Sequence, residues 1–195
     1  KRCDHYEDVL GTYLVKLSAR KMGQAESEEA TELLKAIGDF ERISDHGVNI
    51  LASAEELRDK GLAFSAPAMA EFHIIADAIR KILDLSLTAF QNGDVATAAE
   101  VEPLEQVIDS LNSSLKNHHI ERLQSGKCTI ELGIALENLL NNYERVADHC
   151  SNVAASLLQV KTDSFDTHEY LNRVKQESNV EFQAMYSMYK EKYSL

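Results

Sequence analysis

The chain is 195 residues long and sets 20 Lys and Arg against 32 Asp and Glu, for a formal charge of −12. That acidity, with no basic stripe visible, excludes a surface that tracks nucleic-acid phosphates. Two Pro, eight Gly and no Trp, in a chain rich in Ala, Leu, Glu, Lys and Gln, favour helix over a length that suffices to bury a real core.

Taken in order, six helical segments are readable, without strand alternation. The first runs from near the start to about Arg20 and carries Tyr6, Val9, Leu10, Tyr13, Leu14 and Leu17 in amphipathic register. The chain opens at Lys1 rather than Met, already inside that pattern, so it reads as a piece cut from a longer protein. The second segment starts at Ser27 as N-cap, with Glu28 and Glu29 in its first turn, and continues to Lys60 before Gly61. Ser65 and Pro67 open the third, which turns Phe72, Ile75, Ile79, Ile82 and Leu83 inward and stops at Asn92-Gly93. Asp94 caps the fourth, which ends near Gly126, and Pro103 inside it either kinks it or marks its true start. The fifth runs from about Thr129 to Val160 and the sixth from about Thr167 to the C-terminus.

Short Gly-containing connections make consecutive helices antiparallel neighbours. The expected fold is all-α: two tandem antiparallel three-helix bundles, 1–92 and 93–195, packed firmly into one domain because no low-complexity linker parts them. Cys3, Cys128 and Cys150 form no CxxC pair and look like a reduced, cytosolic set. The apolar runs are too short to span a bilayer and there is no signal peptide.

A short phrase recurs. Residues 39–50 read DFERISDHGVNI and residues 142–153 read NYERVADHCSNV. Glu41/Glu144, Arg42/Arg145, Asp45/Asp148, His46/His149 and Asn49/Asn152 match at a constant offset of 103 (144 − 41, 148 − 45, 152 − 49), so the chain is a duplicated unit. A repeat kept only for packing would recur as apolar periodicity, whereas this one is polar and ionisable.

Spacing by four places Glu41, Asp45 and Asn49 on one ladder up the second helix. An apolar stripe of Ala30, Leu33, Ile37, Ser44, Val48 and Leu51 passes beside Glu41. On the fifth helix Leu136, Leu139, Leu140, Tyr143, Ala147, Cys150 and Ala154 make the stripe that Glu144 and Asp148 flank. Carboxylates at such a border face an interhelical groove, and like charges four apart repel, so an arginine, a lysine or a metal ion must offset them. Glu105 and Asp109 form a third Glu-x-x-x-Asp pair on the fourth helix. With Glu144 and Asp148 they present four carboxylates to one groove, a set suited to iron, manganese, magnesium or zinc. The first-half counterpart of Asp109 is Asp4, whose acidic partner falls before Lys1, so the second half is expected to hold the more complete site.

A lone Glu-x-x-x-Asp on a helix is usually a solvated face, and it is the matched copies that favour ligation. Arg42 and Arg145 read as salt-bridge partners, and His46 and His149 as interfacial, since neighbours point about 100° apart. His118-His119 reads as a helix-dipole pair and Cys150 as a small core residue. Gly47 in a helix interior costs about 1 kcal/mol and would allow close helix approach. No G-x-S-x-G, P-loop or G-x-G-x-x-G is present, and none of the seven His has Glu three positions before it, so no enzyme is expected.

The phrase E-R-x-x-D-H-x-x-N, repeated at half-length in an acidic helical chain, resembles the PhoU family over essentially the whole sequence. That resemblance implies two three-helix bundles related by a pseudo-twofold, with metal, often iron or zinc, on the E(D)-x-x-x-D motifs. The ligands it implies are Glu41, Asp45, Glu144 and Asp148, then Glu105 and Asp109, with Asp4, Asn49 and Asn152 weaker. YLVKLS (13–18), DFERISDH and MYSMYKEKYSL (185–195) are similar to the C-terminal cytoplasmic domain of bacterial sodium/phosphate cotransporters. The resemblance implies a non-enzymatic metal-binding regulatory domain of a phosphate-transport system, cytoplasmic and tethered at the inner membrane face. Its partner would be a transporter domain, with phosphate reached through the metal and a homodimer left open. The competing class is a metal-free helical interaction module; a metal-dependent hydrolase is the weakest alternative.

Overall fold

The computed structural model describes residues 1–20, 22–162 and 180–195, and all its regular structure there is helical. Among the described residues seven helices occur in order: α1 (Arg2–Ser18), α2 (Gln24–Asp59), α3 (Ala66–Asn92), α4 (Val95–Ala99), α5 (Val101–Gln124), α6 (Ile130–Thr162) and α7 (Val180–Lys192). The all-α class is as expected, with α4 and α5 together taking the place of one broken helix. The expected start of the sixth segment, near Thr167, lies outside the described residues.

The helix ends obey local chemistry. Ser65 precedes α3 with extended backbone, Pro67 sits in its first turn, and Gly93 ends it at φ +63°, a left-handed conformation that favours glycine. The Asp94 carboxylate accepts from the Ala96 and Thr97 amides at 3.0 and 3.3 Å and caps α4. The expected single helix from Asp94 to Gly126 is two helices, because Pro103 has no amide hydrogen to give the Ala99 carbonyl. The ladder stops at Ala99 and restarts at Val101, with Pro103 in the first turn of α5. The second helix begins earlier than Ser27: Gly23 is its N-cap, and the Glu26 carboxylate takes the Gly23 amide at 2.9 Å.

The two long helices, α2 and α6, lie against each other and form the spine. α1 packs on α2, α3 crosses onto α5 and α6, and α7 packs on α5. The buried core accordingly gathers Ile75, Ile79 and Ile82 with Leu104, Ile108, Leu115, Leu140, Cys150 and Tyr189. The expected stripe of α6 is buried at all seven positions. That of α2 is not: Val48 and Leu51 are exposed, while Ala36 and Glu32 are buried. On α1 only Leu14 is buried, and Tyr6, Val9, Leu10, Tyr13 and Val15 face outward. Among the described residues no helix is long and apolar enough to cross a membrane.

Candidate metal centre

α1 and α2 bring Asp4 against Glu41 and Asp45. One carboxylate oxygen from each lies within 4.8 Å of the other two, the one such group of three or more potential ligands among the described residues. Asp4 and Asp45 are exposed, while Glu41 is half-buried at 15% side-chain exposure. Desolvation, and then the neighbouring Asp45 charge, hold the Glu41 carboxyl above the usual carboxylate range, with Glu7 adding to the effect and Arg42 opposing it. The Arg42 Nε stands 3.6 Å from Glu41 Oε2. Three converging oxygens in net negative surroundings fit a hard or borderline cation. Asn49, one turn beyond, is exposed and outside the group.

The second half does not converge in the same way, which reverses the expectation that it holds the more complete site. Glu144 accepts from Asn112 Nδ2 at 2.7 Å and has Lys116 Nζ at 3.8 Å. Asp148 accepts from Arg145 at 3.2 Å. Glu105 is buried and Asp109 is exposed, so the two face different surroundings. The reason is register across the α5–α6 groove: Asn112 and Lys116, rather than the acidic pair, stand opposite Glu144. Asn112 is only 2% exposed and also donates to the Leu140 carbonyl. Neither Asn112 nor Lys116 stands out in the sequence.

The rest of the repeated phrase joins the two halves. His46 Nδ1 lies 2.8 Å from Asn142 Oδ1, and His149 Nδ1 lies 2.8 Å from Asp39 Oδ1. The two imidazoles stack with centroids 5.6 Å apart. Asn152, a weaker ligand candidate, donates to Asp39 at 3.2 Å instead. Asp39 and Asn142 are themselves a repeat pair (142 − 39 = 103), a signal present in the sequence at the same offset as the rest of the phrase. Gly47 makes no close approach, since a Cβ there would meet nothing within 4 Å.

The tandem histidines are not a dipole pair. His118 and Arg122 both bind Glu71 of α3, at 3.0 Å and at 2.9–3.0 Å. His119 is buried, with Cys128 Sγ 3.4 Å from its Nδ1, and burial, reinforced by the Arg122 charge, draws it below the usual imidazole range. Cys150 is a core thiol, as expected, and burial pushes it up to about 12.

The family model for the PhoU domain matches residues 1–54 and 72–157. The phosphate-specific transport system accessory protein PhoU homolog 1 of Thermotoga maritima is 25% identical over 143 residues, which are 73% of this chain and 60% of that protein. The putative inorganic phosphate export protein YjbB of Salmonella typhimurium is 26% identical over 163 residues, 81% of this chain but 30% of that protein. The chain thus spans less than two thirds of the length of either relative. The crystal structure of PhoU from Pseudomonas aeruginosa superposes with a TM-score of 0.72 at 19% identity, covering 84% of this chain and 81% of that one.

Proposed function

This chain belongs to the PhoU family, and from that premise we propose that it is a non-enzymatic accessory domain of a phosphate-transport system that binds a metal ion. The observation that carries the metal part is the convergence of Asp4, Glu41 and Asp45 from two helices, with the Glu41 carboxyl held above its usual range by its neighbours. The units 1–92 and 93–195 then act as unequal halves. The first takes the cation, and the second spends its Glu144 and Asp148 carboxylates on Asn112, Lys116 and Arg145. Oxygen donors alone suit iron, manganese or magnesium, with zinc also accommodated. A bound cation would give phosphate, or an acidic partner segment, an electropositive spot on an otherwise acidic chain.

The partner on this proposal is a membrane transporter domain, in the same or an associated chain, which places this domain at the cytoplasmic face. Two relatives, an accessory protein of a phosphate-specific transport system and a putative inorganic phosphate export protein, support that direction. The test is elemental analysis with a thermal scan. Manganese or iron should bind and raise Tm, and both effects should vanish in Glu41→Gln/Asp45→Asn. A folded double variant that still binds manganese or iron overturns the assignment.

A metal-free interaction module is the second proposal, favoured by the exposed apolar residues of α1, Tyr6, Val9, Leu10, Tyr13 and Val15. An unchanged Tm across manganese, iron and zinc, in a protein that carries no metal, would favour it.

A further inference from the structure

The carboxylates are not the only ligand-type groups the duplication sets face to face. On the spine between α2 and α6, His46 and His149 stack at 5.6 Å between centroids with planes 25° apart. Each ring is held by its Nδ1, one on Asn142 Oδ1 and the other on Asp39 Oδ1, both at 2.8 Å. An Nδ1 anchored on a carboxylate or amide oxygen fixes the tautomer that leaves Nε2 with its lone pair, the arrangement that usually stands behind a metal-binding histidine. Both Nε2 atoms lack a hydrogen-bond partner among the described residues, and both rings are half-buried.

We propose that His46 and His149 form a second cation site, a two-histidine site for one borderline divalent ion of the zinc class, bridging the two halves of the chain. The spacing fits. Two imidazoles sharing one tetrahedral ion through Nε2, at bonds of about 2.0–2.1 Å, have centroids roughly 5–5.5 Å apart. The observed separation is 5.6 Å, close to that value; because each Nε2 lone pair lies in its ring plane, the near-parallel rings close on an ion by rotating until both lone pairs meet at one point, with water completing the coordination. Nitrogen donors also sort this site from the carboxylate group: imidazole favours zinc, nickel or copper, and all-oxygen sets favour magnesium or manganese. Asp39 acts as a positioning residue, because its Oδ1 holds His149 Nδ1 and accepts from Asn152.

The histidine pair uses none of Asp4, Glu41 and Asp45, so its test is made with those carboxylates disabled. In a Glu41→Gln/Asp45→Asn background, zinc titration followed by calorimetry should give one equivalent. Affinity should fall tenfold or more in His46→Gln or His149→Gln, and by about ten- to a hundredfold in Asp39→Ala. Copper(II) bound to the same background should show coupling to two imidazole nitrogens by electron paramagnetic resonance. Nitrogen NMR on the chain with both histidines intact is independent of whether the variants fold. Zinc should move the Nε2 resonances of His46 and His149 together while each Nδ1 stays protonated. Equal zinc affinity with and without the histidines, or Nε2 resonances that do not respond to zinc, overturns the proposal. Manganese binding by the parent chain is measured apart from this background and does not depend on its outcome, so the two readings fail separately.

Discussion

Replacing Glu41 with Gln should have opposite effects on the metal-free and metal-loaded protein. In the metal-free protein the Glu41 carboxyl lies above its usual range because of desolvation and the adjacent Asp45 charge. A carboxyl raised in the folded state is more stable protonated there, so the fold is favoured below the unfolded carboxyl range. It loses that advantage as pH rises through the folded value. At pH 7 the charge is a net cost. Two unit charges within 4.8 Å of each other repel by about 1 kcal/mol in a water-like dielectric, and solvent exposure of Asp45 and the opposing Arg42 keep the net at about 0.5–1 kcal/mol. For a domain of this size Glu41→Gln should therefore raise the metal-free Tm by about 1–4 °C at pH 7, with the gain fading near pH 4. With metal at about a hundredfold its Kd, the parent chain gains about 2.7 kcal/mol and the variant should gain little. Differential scanning calorimetry at pH 4 and 7, with and without manganese, measures all four states. A variant with a lower metal-free Tm at pH 7, or metal that stabilises parent and variant alike, would refute this account of Glu41.

Three further outcomes rest on packing. Gly133→Ala should cost about 1–3 kcal/mol in urea unfolding, because its Cβ would stand 2.5 Å from Nε2 of the buried His119. Gly47→Ala should stabilise by about 0.5–1 kcal/mol, since that Cβ meets nothing within 4 Å and alanine favours helix; a destabilised variant would mean the helix there is less regular than described. Ellman's reagent at pH 8 should modify the exposed Cys3 and leave Cys150 unreacted until the chain is denatured, given a thiol buried and raised to about 12.

What the sequence made legible was whatever a single helix decides for itself. The 103-residue offset, the α6 stripe, the Ser65 and Asp94 starts and the Gly93 stop are local, and the structure keeps them. The Val48 and Leu51 positions failed for the opposite reason: burial depends on a neighbour, and there α2 has none covering them. The same limit inverted the ranking of the two halves. Angular counting along α6 shows that Glu144 borders a groove but not which α5 residue stands across it. One turn of register decides between an acidic pair and Asn112 with Lys116.

The repeated phrase is therefore best understood as two jobs on adjacent faces of one helix. Its Glu-x-x-x-Asp face turns to the neighbouring helix of its own half, α1 for Glu41 and Asp45, α5 for Glu144. Its histidine, with the Asp39 or Asn142 seven residues before it, turns to the other copy. Duplication makes the second job symmetrical by construction, since each histidine finds the other copy's acceptor. It places no such constraint on the first, because α1 and α5 need not stay alike. Divergence should accordingly appear where a half meets its own flanking helix, and it does: three carboxylates meet in one half, while an amide and an ammonium meet Glu144 in the other. If that division holds, transplanting the α5 pair into α1 by placing Asn and Lys opposite Glu41 should abolish manganese uptake without loosening the histidine seam. Retention of the stacked-ring NMR signature, beside loss of bound manganese, is the measurement that separates the two jobs. Coupled loss of both would show that the two faces act as one.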